Sequence, residues 1–109
     1  IMNDIEIIEI TERVTGKSTD VIPKNMSALV LVRVGSNIYT SAIVRRLKNF
    51  KNIKSLYELT GEFDISAYVE AENTSDLNSI VEQIRETPGV THTKTKLVLK
   101  KYSNLNEKE

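Results

Sequence analysis

The sequence predicts a two-layer α+β sandwich, one four-stranded antiparallel sheet with two helices on one face. Three observations predict it. Thr60-Gly61-Glu62-Phe63-Asp64 sets a glycine turn between two strand-like runs. Leu77, Ile80, Val81 and Ile84 recur at i, i+3, i+4 and i+7, the apolar stripe of an amphipathic helix. Pro88-Gly89-Val90 stops that helix and leads into Thr91-His92-Thr93-Lys94-Thr95-Lys96-Leu97-Val98-Leu99, a final strand.

Residues 1–25 read as an N-terminal extension. Ile5-Glu6-Ile7-Ile8-Glu9-Ile10 has the composition of a strand, but the double Ile breaks alternation and Glu favours helix, so its assignment stays open. Gly16-Lys17-Ser18 and Pro23 mark loop. Residues 26–102 then form the folded unit. Ala28–Val34 is an apolar run with one Arg, which reads as a strand buried on both faces. Tyr39, Ile43, Leu47 and Phe50 predict a helix over 37–49, with Ser36 or Asn37 as N-cap and Arg45, Arg46 and Lys48 suited to the negative end of its dipole. Ile53–Thr60 is the next strand, and Gly61 with Glu62 makes the turn. In Phe63–Glu72, Phe63, Ile65, Ala67, Val69 and Ala71 face one way and Asp64, Ser66, Tyr68, Glu70 and Glu72 the other. Asn73 or Thr74 caps the second helix, Val90–Lys101 is the last strand, and the polar tail 103–109 is expected to fray.

Strand-helix-strand-strand-helix-strand is a pair of split β-α-β units. Right-handed crossovers make it a ferredoxin-like sandwich with sheet order 4-1-3-2. The chain of 109 residues suffices for one core, burying roughly 60–70% of its unfolded surface. Lys plus Arg and Asp plus Glu number 15 each, so the basic excess of an autonomous duplex-DNA binder is missing. No apolar run reaches the length of a membrane span, and no targeting segment is evident. The absence of cysteine rules out disulfides and fits a cytoplasmic location.

The order and spacing of the Thr60–Asp64 turn, the alternating strand, the amphipathic helix and the Pro88-Gly89 stop resemble the effector-binding (RAM) domain of the Lrp/AsnC transcription regulators, over about 28–99. In that family a helix-turn-helix DNA-binding domain precedes the effector domain. The segment before Ala28 is too short for one, so the chain reads as a stand-alone effector domain; a piece of a longer chain would read the same, since the sequence opens Ile1-Met2. The resemblance implies residues 4–14 as counterpart of a connecting strand that pairs across the dimer. It implies dimers assembling into a ring, often an octamer, and an amino-acid effector seated where dimers meet. The sequence itself supports a dimer. Leu29 and Leu31 lie on one face of the first core strand and Ala28, Val30, Val32 and Val34 on the other, so the sheet face without helices is apolar and a second copy is expected to cover it.

The resemblance points to Gly61, Glu62 and Asp64 in the turn and to Thr91 and Thr93 in the last strand as ligand-binding residues. Asp64, with Glu62 or Glu58, would meet the effector's ammonium, and backbone N–H groups at Gly61 and Glu62 its carboxylate. The plainer alternative is that Gly61 only permits a turn, Asp64 only stabilises the hairpin and the threonines only favour strand. Asp64 points away from the Phe63-Ile65-Ala67 row, so its loss is expected to leave the fold intact. Thr95 shares the face of Thr91 and Thr93, but Leu97 and Leu99 continue it into core. His92 stands alone on the opposite face, and one histidine among scattered carboxylates makes neither a metal set nor a catalytic site, so no cofactor is expected. Arg45, Arg46, Lys48, Lys51 and Lys54 form a basic cluster that reads as a solvated face.

The expectation is a cytoplasmic, non-catalytic amino-acid sensor that does not bind DNA directly and acts by co-assembling with full-length regulators. The alternatives are an ACT-like regulatory domain acting on an enzyme, whose ligand would sit nearer the first strand and first helix, a small dimeric α+β enzyme, and a purely structural oligomer.

Overall fold

The computed structural model describes residues 5–10, 20–21 and 25–102. In chain order the elements are β1 (Ile5–Ile10), β2 (Asp20–Val21), β3 (Met26–Val34), α1 (Thr40–Leu47), β4 (Ile53–Glu58), β5 (Ile65–Ala71), α2 (Thr74–Arg85) and β6 (Val90–Tyr102). The antiparallel sheet order β6-β3-β5-β4 is the expected 4-1-3-2 arrangement of the four core strands. β1 extends it beyond β6 as a parallel neighbour, and β2 also pairs with β6. Residues 5–10 are thus a strand, pairing within their own chain in register Ile5 to Thr95. The expected loop at Gly16-Lys17-Ser18 and Pro23, the tail 103–109, and residue 4 and residues 11–14 of the expected connecting strand lie outside the described residues.

β3 is the centre of the sheet because its two neighbours take both of its edges. Its pleat aims Ala28, Val30, Val32 and Val34 at the helices, together with Ile65, Ala67, Val69 and Ala71 of β5. Ile43 and Leu47 of α1 and Leu77, Ile80, Val81 and Ile84 of α2 close over them, all buried. Each fully buried Val, Leu or Ile of this layer contributes about 1.5–3 kcal/mol.

α1 is shorter than its apolar spacing predicts. Ser36 and Asn37 do not cap it; they lie in a turn closed by the Ile38 N–H donating to the Gly35 carbonyl, 3.0 Å. Tyr39 takes the N-cap position with no side-chain bond and is 83% exposed, so it leaves the predicted buried stripe. α2 is capped as expected, the Asn73 Oδ1 accepting the Asp76 N–H at 2.8 Å. The predicted two-residue hairpin turn is a six-residue loop over 59–64, closed by the Leu59 N–H donating to the Asp64 carbonyl, 2.8 Å.

The opposite sheet face carries Leu29 and Leu31 of β3, Tyr68 of β5 and Tyr57 of β4, with Lys94 and Lys96 of β6 in register with the two leucines. Leu29, Leu31 and Tyr68 are half-buried and Tyr57 is 59% exposed, with no described helix packed on this side.

Gly89 and Gly61 both adopt positive φ, 100° and 108°. A Cβ on Gly89 would stand 2.6 Å from Cδ1 of the fully buried Ile43, whereas one on Gly61 would meet nothing within 4 Å. Gly89→Ala should therefore combine backbone strain with overpacking and lose about 2–4 kcal/mol, and Gly61→Ala only about 1–2 kcal/mol of strain. Urea unfolding of both variants beside the parent checks the order; equal midpoints would refute it.

Candidate functional site

The C-terminal end of β3 collects most of the sequence-predicted site residues. β5 begins at Ile65, opposite Val32, so Val34 reaches past the end of its neighbour. Its N–H donates to Oδ2 of Asp64 at 2.8 Å. The Asp64 N–H donates to the Val32 carbonyl, also 2.8 Å, and the Asp64 carbonyl receives Leu59. Asp64 is half-buried and ties the 59–64 loop to the central strand. Its carboxylate thus has the structural role that the plainer alternative gave it: it satisfies a backbone donor that the sheet leaves unpaired.

Arg33 holds the other side of the same loop. Its Nε donates to the Glu62 carbonyl at 3.0 Å, its Nη2 stands 3.4 Å from Oε2 of Glu62, and its guanidinium lies 5.6 Å from the centre of the Phe63 ring. The two side chains are 39% and 72% exposed, so the ion pair contributes at most about 1 kcal/mol. Gly61, at the outer tip, faces open space.

β6 reaches the site through a bulge. Arg33 pairs with His92 and Val34 with Val90, leaving Thr91 as the extra residue. The Thr91 hydroxyl donates to the Arg33 carbonyl at 3.2 Å and lies 3.3 Å from the His92 Nδ1. The bulge takes Thr91 out of the predicted three-hydroxyl row. Thr93 and Thr95 keep their register, opposite Val32 and Val30 on the helix-facing side, and Thr95 is buried.

Glu62, Asp64 and Thr91 thus converge on the last two residues of β3, with Gly61 at the outer tip of the same loop, while Thr93 stands on the other face of the sheet from Arg33. His92 is exposed. Glu58, the other carboxylate considered for the ammonium, pairs in register with Ile65 on β5. No group of three or more potential metal ligands occurs among the described residues, and no described helix is long and apolar enough to cross a membrane. The basic cluster is exposed; Arg46 Nη1 donates to the Pro88 carbonyl at 2.6 Å.

Arg33 is the residue that sequence reasoning missed. The available signal was a guanidinium inside an apolar strand, which needs acceptors wherever it is partly desolvated. Two depressions lie elsewhere. One of about 280 Å³, at the far end of the sheet, is lined by Lys51, Lys54, Glu70, Glu72 and Asp76 among others. The other, of about 410 Å³, runs along β4 beside α1, against Val44, Lys48, Ile53 and Leu56.

Comparison with known proteins bears on this arrangement. The family model of the Lrp/AsnC ligand binding domain matches residues 27–107. A homocitrate synthase of Sulfurisphaera tokodaii is 43% identical over 99 residues, covering 90% of this chain but 22% of that enzyme. The chain thus spans about a fifth of the length of the curated relatives it matches. A crystal structure of a Thermus thermophilus protein aligns with TM-score 0.63 and 28% identity over 68% of this chain and 92% of that one. A feast or famine regulatory protein of M. tuberculosis, complexed with L-methionine, aligns with TM-score 0.60 over 77% of this chain and 52% of that one; at 21% identity the likeness is one of fold.

Asp64→Ala should lower stability by about 1–3 kcal/mol, because the Val34 N–H loses its acceptor in a part-buried position. Asp64→Asn, which keeps an acceptor oxygen, should recover most of the loss. Thermal or urea melts that place the alanine variant level with the parent would remove this role.

Proposed function

This chain belongs to the Lrp/AsnC ligand-binding domain family, a regulatory, non-catalytic one, and from that premise we propose that residues 26–102 bind an α-amino acid where copies of the chain meet. The observation that carries the reading is the convergence of Glu62, Asp64 and Thr91 on the end of β3, with Gly61 at the tip of the same loop. Carboxylates suited to an ammonium and donors suited to a carboxylate come together there, which is what a zwitterion needs. Thr93, on the helix-facing side of the sheet opposite Val32, stands outside this cluster. The methionine complex of the M. tuberculosis protein supports the ligand class.

The half-buried Leu29, Leu31 and Tyr68 supply a dimer contact, and dimers joined through their 59–64 loops build a larger ring such as an octamer. An effector between dimers then works by linkage, favouring the assembly to which it binds more tightly. The module acts in the cytoplasm without touching DNA itself, by co-assembly with full-length regulators. A second reading of its partner has its own support: identity to one part of a homocitrate synthase favours an amino-acid sensor that controls an enzyme of that kind.

A thermal-shift series with the twenty standard L-amino acids, with mass measured in parallel by light scattering, tests the reading. A true effector at a hundred times its Kd adds about 2.7 kcal/mol, a shift of several degrees. A flat response to all twenty would sink the amino-acid assignment. Leu31→Glu should convert the oligomer to a monomer without unfolding the helix-side core; an unchanged mass would exclude the sheet face as the dimer contact.

A further inference from the structure

We propose that the outer edge of β4 is an interaction surface for a second copy of this chain, the two β4 strands pairing antiparallel about a twofold axis at Leu56. The contact is independent of the amino-acid reading. It lies at the side of the sheet and leaves the Leu29 and Leu31 face uncovered.

β4 ends the sheet. β5 takes one of its edges, and among the described residues no strand takes the other. The Leu59 N–H donates to the Asp64 carbonyl, so in the same register Tyr57 and Ser55 turn their N–H and C=O groups toward β5. Leu56 and Glu58, the alternate residues, turn theirs outward. An open edge of this kind is a template for an added strand. A groove of about 410 Å³ runs beside it on the α1 side, lined by half-buried Val44, Ile53 and Leu56 and by Lys48 and Lys54.

The order of residues along β4 selects the partner. A ladder sets outward-turned residues opposite one another, so a twofold pair of β4 strands must be centred on a residue rather than between two. Centring on Ser55 or Tyr57 sets Leu56 against Lys54 or Glu58. Centring on Lys54 or Glu58 sets like charges together. Only the pair centred on Leu56 sets leucine against leucine and places Lys54 opposite the partner's Glu58 at both ends. The two Leu56 residues then exchange both of their outward hydrogen bonds. The axis is normal to the sheet, so both α1 helices lie on one side and the two grooves meet over the paired leucines.

A lysine and a bulge also blunt a lone edge, and here both fall at Lys54, the extra residue between Ile53 and Ser55. In this register they confine the ladder to its centre, and the lysine finds an acid opposite it. Each copy spends its β4 edge once, so the contact closes at two copies rather than growing into a fibre. Six residues a side make a small contact, a weak joint beside the sheet-face dimer.

The chain has no cysteine, so single cysteines report the register. Cα atoms of a bonded antiparallel pair stand about 5.5 Å apart, within the roughly 4.4–6.8 Å that a disulfide spans. Near millimolar protein and under mild oxidation, Leu56→Cys should give a covalent dimer. Ser55→Cys and Tyr57→Cys, each out of register with its own copy, should give little. A second measurement uses Leu31→Glu, which removes the sheet-face contact, and follows mass by sedimentation equilibrium as concentration rises toward millimolar. Added to it, Lys54→Glu or Glu58→Lys should each weaken self-association about 10-fold, by setting like charges opposite at both ends. An equimolar mixture of those two variants should restore it, because each chain then meets the opposite charge on the other. Lys54 and Glu58 are exposed, so the charge variants decide the matter if Leu56→Cys melts early. Cross-linking at 55 or 57 as fast as at 56, or at none of the three in folded protein, overturns the proposal. So does a mixture that associates no better than either charge variant alone.

Discussion

The N–H of Val34 is the point on which the site depends. β3 is hydrogen-bonded on both edges, but β5 stops opposite Val32 while β3 runs on. A backbone donor left half-inside the protein needs an acceptor, and leaving it without one costs about 1–3 kcal/mol. Asp64 supplies that acceptor, and its own N–H and carbonyl are bound to Val32 and Leu59. A single residue therefore fixes the 59–64 loop in three places. The position of Glu62 follows, and with it the environment of Arg33. The loop is thus built on the end of the central strand, which is paired on both edges.

The two faces of the sheet divide the work. On one, four buried residues of β3 and four of β5 meet the apolar stripes of both helices, and this layer holds the fold together. On the other, leucines and tyrosines alternate with lysines, and side chains keep part of their surface in water. Such a face is more apolar than a fully solvated one and more charged than a core. The bulge at Thr91 sits where the two regimes meet. It turns Thr91 to the Arg33 carbonyl and leaves Thr93 and Thr95 on the helix side. One extra residue thus decides which hydroxyl of the last strand belongs with the loop.

Kinship with about a fifth of a homocitrate synthase, with nearly the whole of one solved chain and with half of another shows the same fold set in chains of different extent. Among the described residues the candidate site is held by backbone ties and one ion pair.

The sequence by itself determined the order of the core elements, the helix-side core and the cap of α2, because each is carried by periodicity or by a local hydrogen bond. Period-two alternation in β5 and the i, i+3, i+4, i+7 stripe of α2 name their buried residues without reference to the rest of the chain. Glycine at 61 and 89 marked positive-φ turns for the same local reason. The strand at Ile5–Ile10 was ambiguous because its double Ile breaks alternation and its Glu residues favour helix, and pairing with β6 settled it. Only tertiary structure decided the rest. The start of α1 moved to Thr40 because Gly35–Ile38 form their own turn, with the Gly35 N–H bonded to the Gly89 carbonyl far along the sequence. The structural role of Asp64 was invisible because its partner is 30 residues away. Arg33 joined the site through contacts 29 and 58 residues distant, to Glu62 and Thr91. Local patterns fix which face of an element is buried; which polar groups meet at the end of a strand depends on where its neighbours stop, and that is a property of the assembled sheet.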